Sequence, residues 1–178
     1  MAGFFYRKHM LGLTTGACAE FIIANSQTIT VGDSIKLSSG YATLALAAGP
    51  TMGVVLGIVD PNGINIDGEA ADVDGTVSGS GQTLTYVAAS DNATSKMVKV
   101  QVMCDPFALF YNDADGSLTQ AYVGTFFDVV AASDQIDQSS TTTSGNWQLI
   151  ELDPDGDSDA SKGLFRIAEW QGWAYAQQ

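Results

Sequence analysis

Between residues 96 and 104 the chain alternates without a break. Val98, Val100, Val102 and Cys104 fall on one side of an extended backbone, and Met97, Lys99, Gln101 and Met103 fall on the other. Successive side chains of a strand point to opposite faces, so a two-residue period predicts a strand with one dry face. Residues 53–59 (Gly-Val-Val-Leu-Gly-Ile-Val) are apolar throughout and stop at Asp60-Pro61-Asn62-Gly63. That pattern predicts a strand buried on both faces that ends in a turn. Residues 28–31 and 34–37 flank Gly32-Asp33 and read as two short strands or one strand with a bulge. Further strands are predicted at 41–46, 83–88, 122–130, 147–152 and 164–168, with Gly, Asn, Asp and Ser clusters between them. Residues 42–48, rich in Ala and Leu, fit a short helix as well as a strand, and 75–81 reads as a flexible turn. The sum is an all-β fold, a β-barrel or β-sandwich of short antiparallel strands.

Ahead of this body stands Phe4-Phe5-Tyr6-Arg7-Lys8. Three successive aromatic side chains cannot all be buried by one short strand, because alternate residues face opposite ways. The segment therefore reads either as a strand against the same chain or as an extended N-terminal arm, residues 1–12. In such an arm Phe4, Phe5 and Tyr6 would anchor in a neighbouring protein, with Arg7 and Lys8 fixing its orientation. Residues 13–178 form the body. Near its end Trp170, Trp173 and Tyr175 are candidates for the same kind of subunit or partner contact. Val-Ala-Ala-Ser-Asp occurs at 87–91 and again at 130–134, and Asp-x-Asp-Gly occurs at Asp72, Asp113 and Asp153. Two related halves, near 28–91 and 92–170, would explain both repeats. Simple reuse of turn chemistry would explain them too.

From residue 12 onward five cations stand against twenty carboxylates. Nucleic-acid affinity comes largely from Lys and Arg that displace condensed counterions, so this composition argues against a nucleic-acid partner. No stretch approaches the roughly 18 apolar residues of a membrane helix, so no membrane partner is expected either. Cys18 and Cys104 are too few for a disulfide scaffold, and both are expected to be reduced and buried. Residues 10–16 are too short and polar for the apolar core of an export signal. Asn92-Ala93-Thr94 matches a glycosylation acceptor, a tripeptide that chance supplies often.

Chemistry-bearing constellations are sparse. Asp153, Asp155, Asp157 and Asp159, with Glu151 before them, form the densest set of hard oxygen donors. Their spacing imitates part of an EF-hand loop, but Lys162 stands where a bidentate carboxylate belongs and Pro154 stiffens the loop. A solvated acidic tip is favoured there over a calcium site, and no cofactor is expected. His9, the sole histidine, falls in the N-terminal arm and not among the predicted strands, so no His-dependent nucleophile is expected. One His and two distant Cys give no zinc cluster. Carboxylate pairs of the glycosidase kind depend on spatial separation and cannot be read by counting.

The run 122–130 (Tyr-Val-Gly-Thr-Phe-Phe-Asp-Val-Val), the Ser/Thr-rich loop through Ser144 and the run 145–155 (Gly-Asn-Trp-Gln-Leu-Ile-Glu-Leu-Asp-Pro-Asp) resemble small structural proteins of tailed-phage particles. Residues 30–37 (Thr-Val-Gly-Asp-Ser-Ile-Lys-Leu), followed by 53–59, similarly resemble phage head decoration, or cement, proteins. Together these segments cover about half the chain, and none is a signature motif. The resemblance implies a non-enzymatic virion protein on the outer surface of the head, made in the host cytoplasm. It further implies binding to the major capsid protein and to itself, often as a homotrimer, and it brings no catalytic residues. A secreted carbohydrate-binding or adhesive β-domain, calcium-stabilised at Asp153–Asp159, is the alternative from another class.

Overall fold

The alternating segment folds as expected, with Val100 and Val102 fully buried along β9 (Lys99–Met103) and Val98 fully buried just before it. The structure, a computed structural model, describes residues 3–12, 16–45, 50–66, 73–130, 135–142, 146–152 and 160–168. Among these residues it contains fourteen strands and two short 3-10 turns, arranged in three antiparallel sheets. The first sheet runs β1 (Phe5–His9), β10 (Ala108–Asp113), β14 (Lys162–Ile167), β13 (Trp147–Leu152), β11 (Phe126–Val129) and β12 (Ile136–Thr142). The second runs β2 (Cys18–Ile22), β9, β6 (Gly53–Val59), β4 (Ser34–Ser38) and β5 (Tyr41–Leu44). The third is β3 (Thr28–Thr30), β8 (Thr85–Ala88) and β7 (Gly75–Ser78).

The fold is all-β and sandwich-like. The second sheet curls until its two edge strands approach one another. Ile23 bridges Ala42, and the Ala24 N–H donates to the Ala42 carbonyl at 3.0 Å. No strand-length ladder closes that seam, so the sheet is not a closed barrel. Two apolar clusters fill the interior. One gathers Phe4, Phe110, Phe127, Trp147, Leu149 and Phe165 with Val54 and Met103 of the second sheet. The other gathers Ile35, Val55, Ile58, Val100 and Val102 with Ile29, Leu84 and Tyr86 around the third sheet. Val54 and Val55 are sequence neighbours that enter different clusters, so the second sheet is a wall shared by both. This is why β6 is apolar along its length: each face has a core to fill.

Local chemistry sets the ends of these strands. The Asp60 carboxylate accepts from the backbone N–H of Asn62 at 2.9 Å and of Ile64 at 2.8 Å, and Gly63 takes a positive φ of 83°. That is the turn predicted after the apolar run. Between β3 and β4 the chain leaves one sheet for another at Gly32 (φ 95°), with the Asp33 carboxylate accepting from the Thr30 N–H at 2.7 Å. The β6–β9 ladder slips between Val55 and Gly57, a bulge in which Leu56 is the extra residue.

Three expectations change, and one left open is decided. Residues 5–9, expected within an extended arm, are a strand at the edge of the first sheet, paired to β10. The forty-residue spacing does not coincide with the division between sheets, because β9 belongs with β2 and β4–β6 and, β1 apart, the strands of the first sheet all follow Met103. Residues 131–134 of the second Val-Ala-Ala-Ser-Asp copy lie outside the described residues. The segment 75–81 is strand β7 followed by a 3-10 turn at Gly81–Thr83, not a free turn. Of 42–48, residues 42–44 are strand β5, and residues 46–48 lie outside the described residues.

Candidate functional site: an uncharged groove beside the first strand

Phe4, Phe5 and Tyr6 separate by burial. Phe4 is 1% exposed and stacks on Trp147, with ring centroids 3.9 Å apart and planes 16° apart. Its N–H donates to the Gly32 carbonyl at 2.8 Å. Phe4 is therefore an interior residue of this chain and has no ring face to offer a partner. Phe5 and Tyr6 are half-buried, and Arg7 and Lys8 are exposed at a bulge in β1. The Lys8 ammonium contacts Glu151 at 2.6 Å. An exposed pair of this kind contributes at most about 1 kcal/mol.

Phe4, Phe5 and Tyr6 line one end of a recess with Val31, Val55, Leu56 and Gln82. Val31, Leu56 and Gln82 also line a larger cleft of about 410 Å³. Gly57, Ile58, Asn65, Ile66, Gly81, Leu84 and Gln101 complete its lining. The two recesses make one groove at the junction of the first strand with the second and third sheets. The larger cleft falls within the usual ligand-cleft range of about 300–1,000 Å³. No lining residue of either recess is an acid or a base, apart from the Tyr6 phenol. On a chain of net charge −13 this groove is a neutral place. Aliphatic side chains make its floor, and the carboxamides of Asn65, Gln82 and Gln101 supply both donors and acceptors. The bulge opens it: a Cβ placed on Gly57 would meet only Gln101 Oε1, at 3.9 Å.

His9 lies elsewhere than the sequence suggested. It closes β1 and is buried, with Nε2 3.0 Å from Asp105 Oδ2. The Leu11 N–H donates to Nδ1 at 3.1 Å, so Nε2 carries the hydrogen and donates to the carboxylate. Asp105 also accepts from the Phe107 N–H at 2.9 Å and the Ala17 N–H at 3.2 Å. Burial raises the Asp105 pKa, but these backbone donors and His9 outweigh it and hold the carboxyl below its ordinary value. Both ring nitrogens are engaged, so the pair acts as a clasp that fastens the end of β1 to the loop before β10. Cys104 is buried as expected, whereas Cys18 is exposed; both are free thiols. Burial raises the pKa of each, and the Asp105 charge raises both further, so neither is primed as a thiolate.

Asn92, the acceptor of the glycosylation-like tripeptide, is fully buried. Its Nδ2 donates to the carbonyls of Ile23 at 2.7 Å and Val98 at 3.2 Å, so it is a structural crosslink. Trp170, Trp173, Tyr175 and the calcium candidates Asp153, Asp155, Asp157 and Asp159 lie outside the described residues. Among the described residues no three His, Cys, Asp or Glu side chains gather where they could hold a metal ion, and no helix is long and apolar enough to cross a membrane. Gln82, Gln101, Asn65 and Gly57 carried no sequence signal, because separate strands and turns bring them together. Compared with known proteins, the chain matches no family model, no curated protein and no solved structure.

Proposed function

We propose that this chain is a non-enzymatic structural protein of a tailed-phage particle, decorating and stabilising the head by binding the major capsid protein and further copies of itself. The observation that carries the proposal is the neutral groove beside β1 on an otherwise strongly acidic molecule. Covering charged side chains costs desolvation free energy, whereas the partly exposed Val31 and Leu56 gain by being covered. The similarity of residues 30–37, 53–59 and 122–155 to decoration and other virion proteins supplies the particle. Its action is mechanical: many identical copies each add a modest interface, and their sum resists pressure from within the shell. An acidic outward surface keeps such particles apart and does not capture free DNA.

The test is composition of the particle. Heads purified on a density gradient from cells that produce the phage encoding this chain are expected to carry it in many copies, measured by quantitative mass spectrometry. Recovery of the chain only in the unassembled protein fraction would overturn the proposal.

A further inference from the structure

We infer that the groove lined by Leu56, Gly57, Asn65, Gln82 and Gln101 is a docking site for an extended peptide segment of a different protein, uncharged where it enters and flanked by Lys or Arg. This deepens the decoration reading and rests on it only for the identity of the partner.

Charge selects the occupant. A second copy of this chain also carries −13, so a cation-flanked segment of another protein is favoured over it in this groove; the preference does not bear on contacts between copies outside the groove. A segment with cationic flanks is drawn in by that same field. The groove itself offers no counter-charge to a buried ion, so the residues that enter must be neutral. The lining selects the backbone form. Gln82 stands on the 3-10 turn Gly81–Thr83, Gln101 on β9 and Asn65 after the Asp60 turn. Each carboxamide can donate and accept, which matches the N–H and C=O groups that an extended backbone presents. Val31 and Leu56, both partly exposed, give aliphatic contact, with the buried Ile58, Ile66 and Leu84 behind them. A sugar would instead favour flat aromatic faces, and the aromatic residues stand only at the far end.

Gly57 supplies a clean test. Its partner across the ladder is Gln101, and the space above its Cα is open apart from Gln101 Oε1 at 3.9 Å. The Cβ of a Gly57→Val side chain therefore meets no atom closer than that, and a β-branched residue suits a strand. The probe is an array of synthetic peptides of about twelve residues, with neutral cores drawn from Val, Ile, Thr, Ala, Ser, Asn and Gln and with flanks of Lys, Ser or Glu. Tiles of the major capsid protein and a glycan array are added. Lys-flanked neutral cores are expected to bind best, with affinity falling as salt rises. Gly57→Val, at an unchanged or higher Tm, is expected to weaken them at least about tenfold, equivalent to about 1.4 kcal/mol, and Gln101→Ala is expected to weaken them less. Equal binding by wild type and Gly57→Val, no peptide binding at all, a preference for Glu flanks, or glycan binding lost in Gly57→Val would each overturn the inference. Peptide binding with no hit among the capsid tiles keeps the inference and counts against the decoration reading.

Discussion

Replacing Phe4 by Ala separates a sheet residue from a docking residue. Phe4 is 1% exposed, stacks on Trp147 and belongs to the cluster that fills the first sheet. Truncating a buried Phe to Ala typically costs about 3–5 kcal/mol, the sum of lost transfer free energy and the cavity left behind. The stacked ring places this site in the upper part of that range, since aromatic pairs add about 0.5–1.5 kcal/mol beyond burial. A domain of this size is stable by only about 5–15 kcal/mol in total. At about 2–4 °C per kcal/mol, Tm should fall by roughly 10–15 °C. Phe5→Ala is the control, because Phe5 is half-buried and should cost about 1–2 kcal/mol. Urea unfolding followed by circular dichroism gives both free energies, and an unchanged slope shows that the unfolded state is the same. Equal losses for the two variants would refute the interior placement of Phe4. By the same reasoning, deleting residues 1–9 should destabilise the whole body, because it removes Phe4, β1 and the His9 clasp together.

Two further predictions concern carboxylates. Asp105 titrates below its ordinary value, so its stabilising contribution is complete above the unfolded pKa near 4 and disappears as pH falls through the lower folded value. Asp105→Asn should be less stable than wild type by about 2 kcal/mol at pH 7, with the gap narrowing as pH falls through the lowered folded value; a gap independent of pH would contradict the clasp. Asp128 runs the other way: burial raises its carboxyl, and Asp137 across the strand adds to this, against a backbone hydrogen bond from Asn146. The resulting penalty is absent below the unfolded pKa, appears as pH rises towards the folded one, and is complete above it. Asp128→Asn should therefore stabilise by about 0.5 kcal/mol at pH 7 and by nothing near pH 3, and a destabilised variant at neutral pH would be the contrary result.

Strands whose burial alternates or is complete were legible in the sequence, because period and apolarity are local properties. β9, β6 and β13 lie where the pattern put them. β2, β10 and β12 were not legible. Cys-Ala-Glu-Phe-Ile shows no two-residue period, Ala-Leu-Phe-Tyr-Asn-Asp is buried by neighbours far along the chain, and Ile-Asp-Gln-Ser-Ser-Thr-Thr is a polar edge strand. β1 was misplaced for the same reason. Phe4 finds its partner in Trp147, and His9 finds Asp105, so neither contact is written into the nine residues around them. The groove was the least legible feature, since it depends on a bulge at Leu56 and on a turn that brings Gln82 into the same cleft as Gln101.

The pairing of β1 with β10, and of Phe4 with Trp147, has a temporal side. During synthesis the first aromatic residues emerge long before the strands that receive them, and they stay uncovered until most of the chain has been made. Closing so long a loop is slow compared with local pairing, so completion of the first sheet should come late in folding. Until then Phe4, Phe5 and Tyr6 are uncovered apolar surface on a nascent chain, and the adjacent Arg7 and Lys8 are charges well placed to discourage premature association.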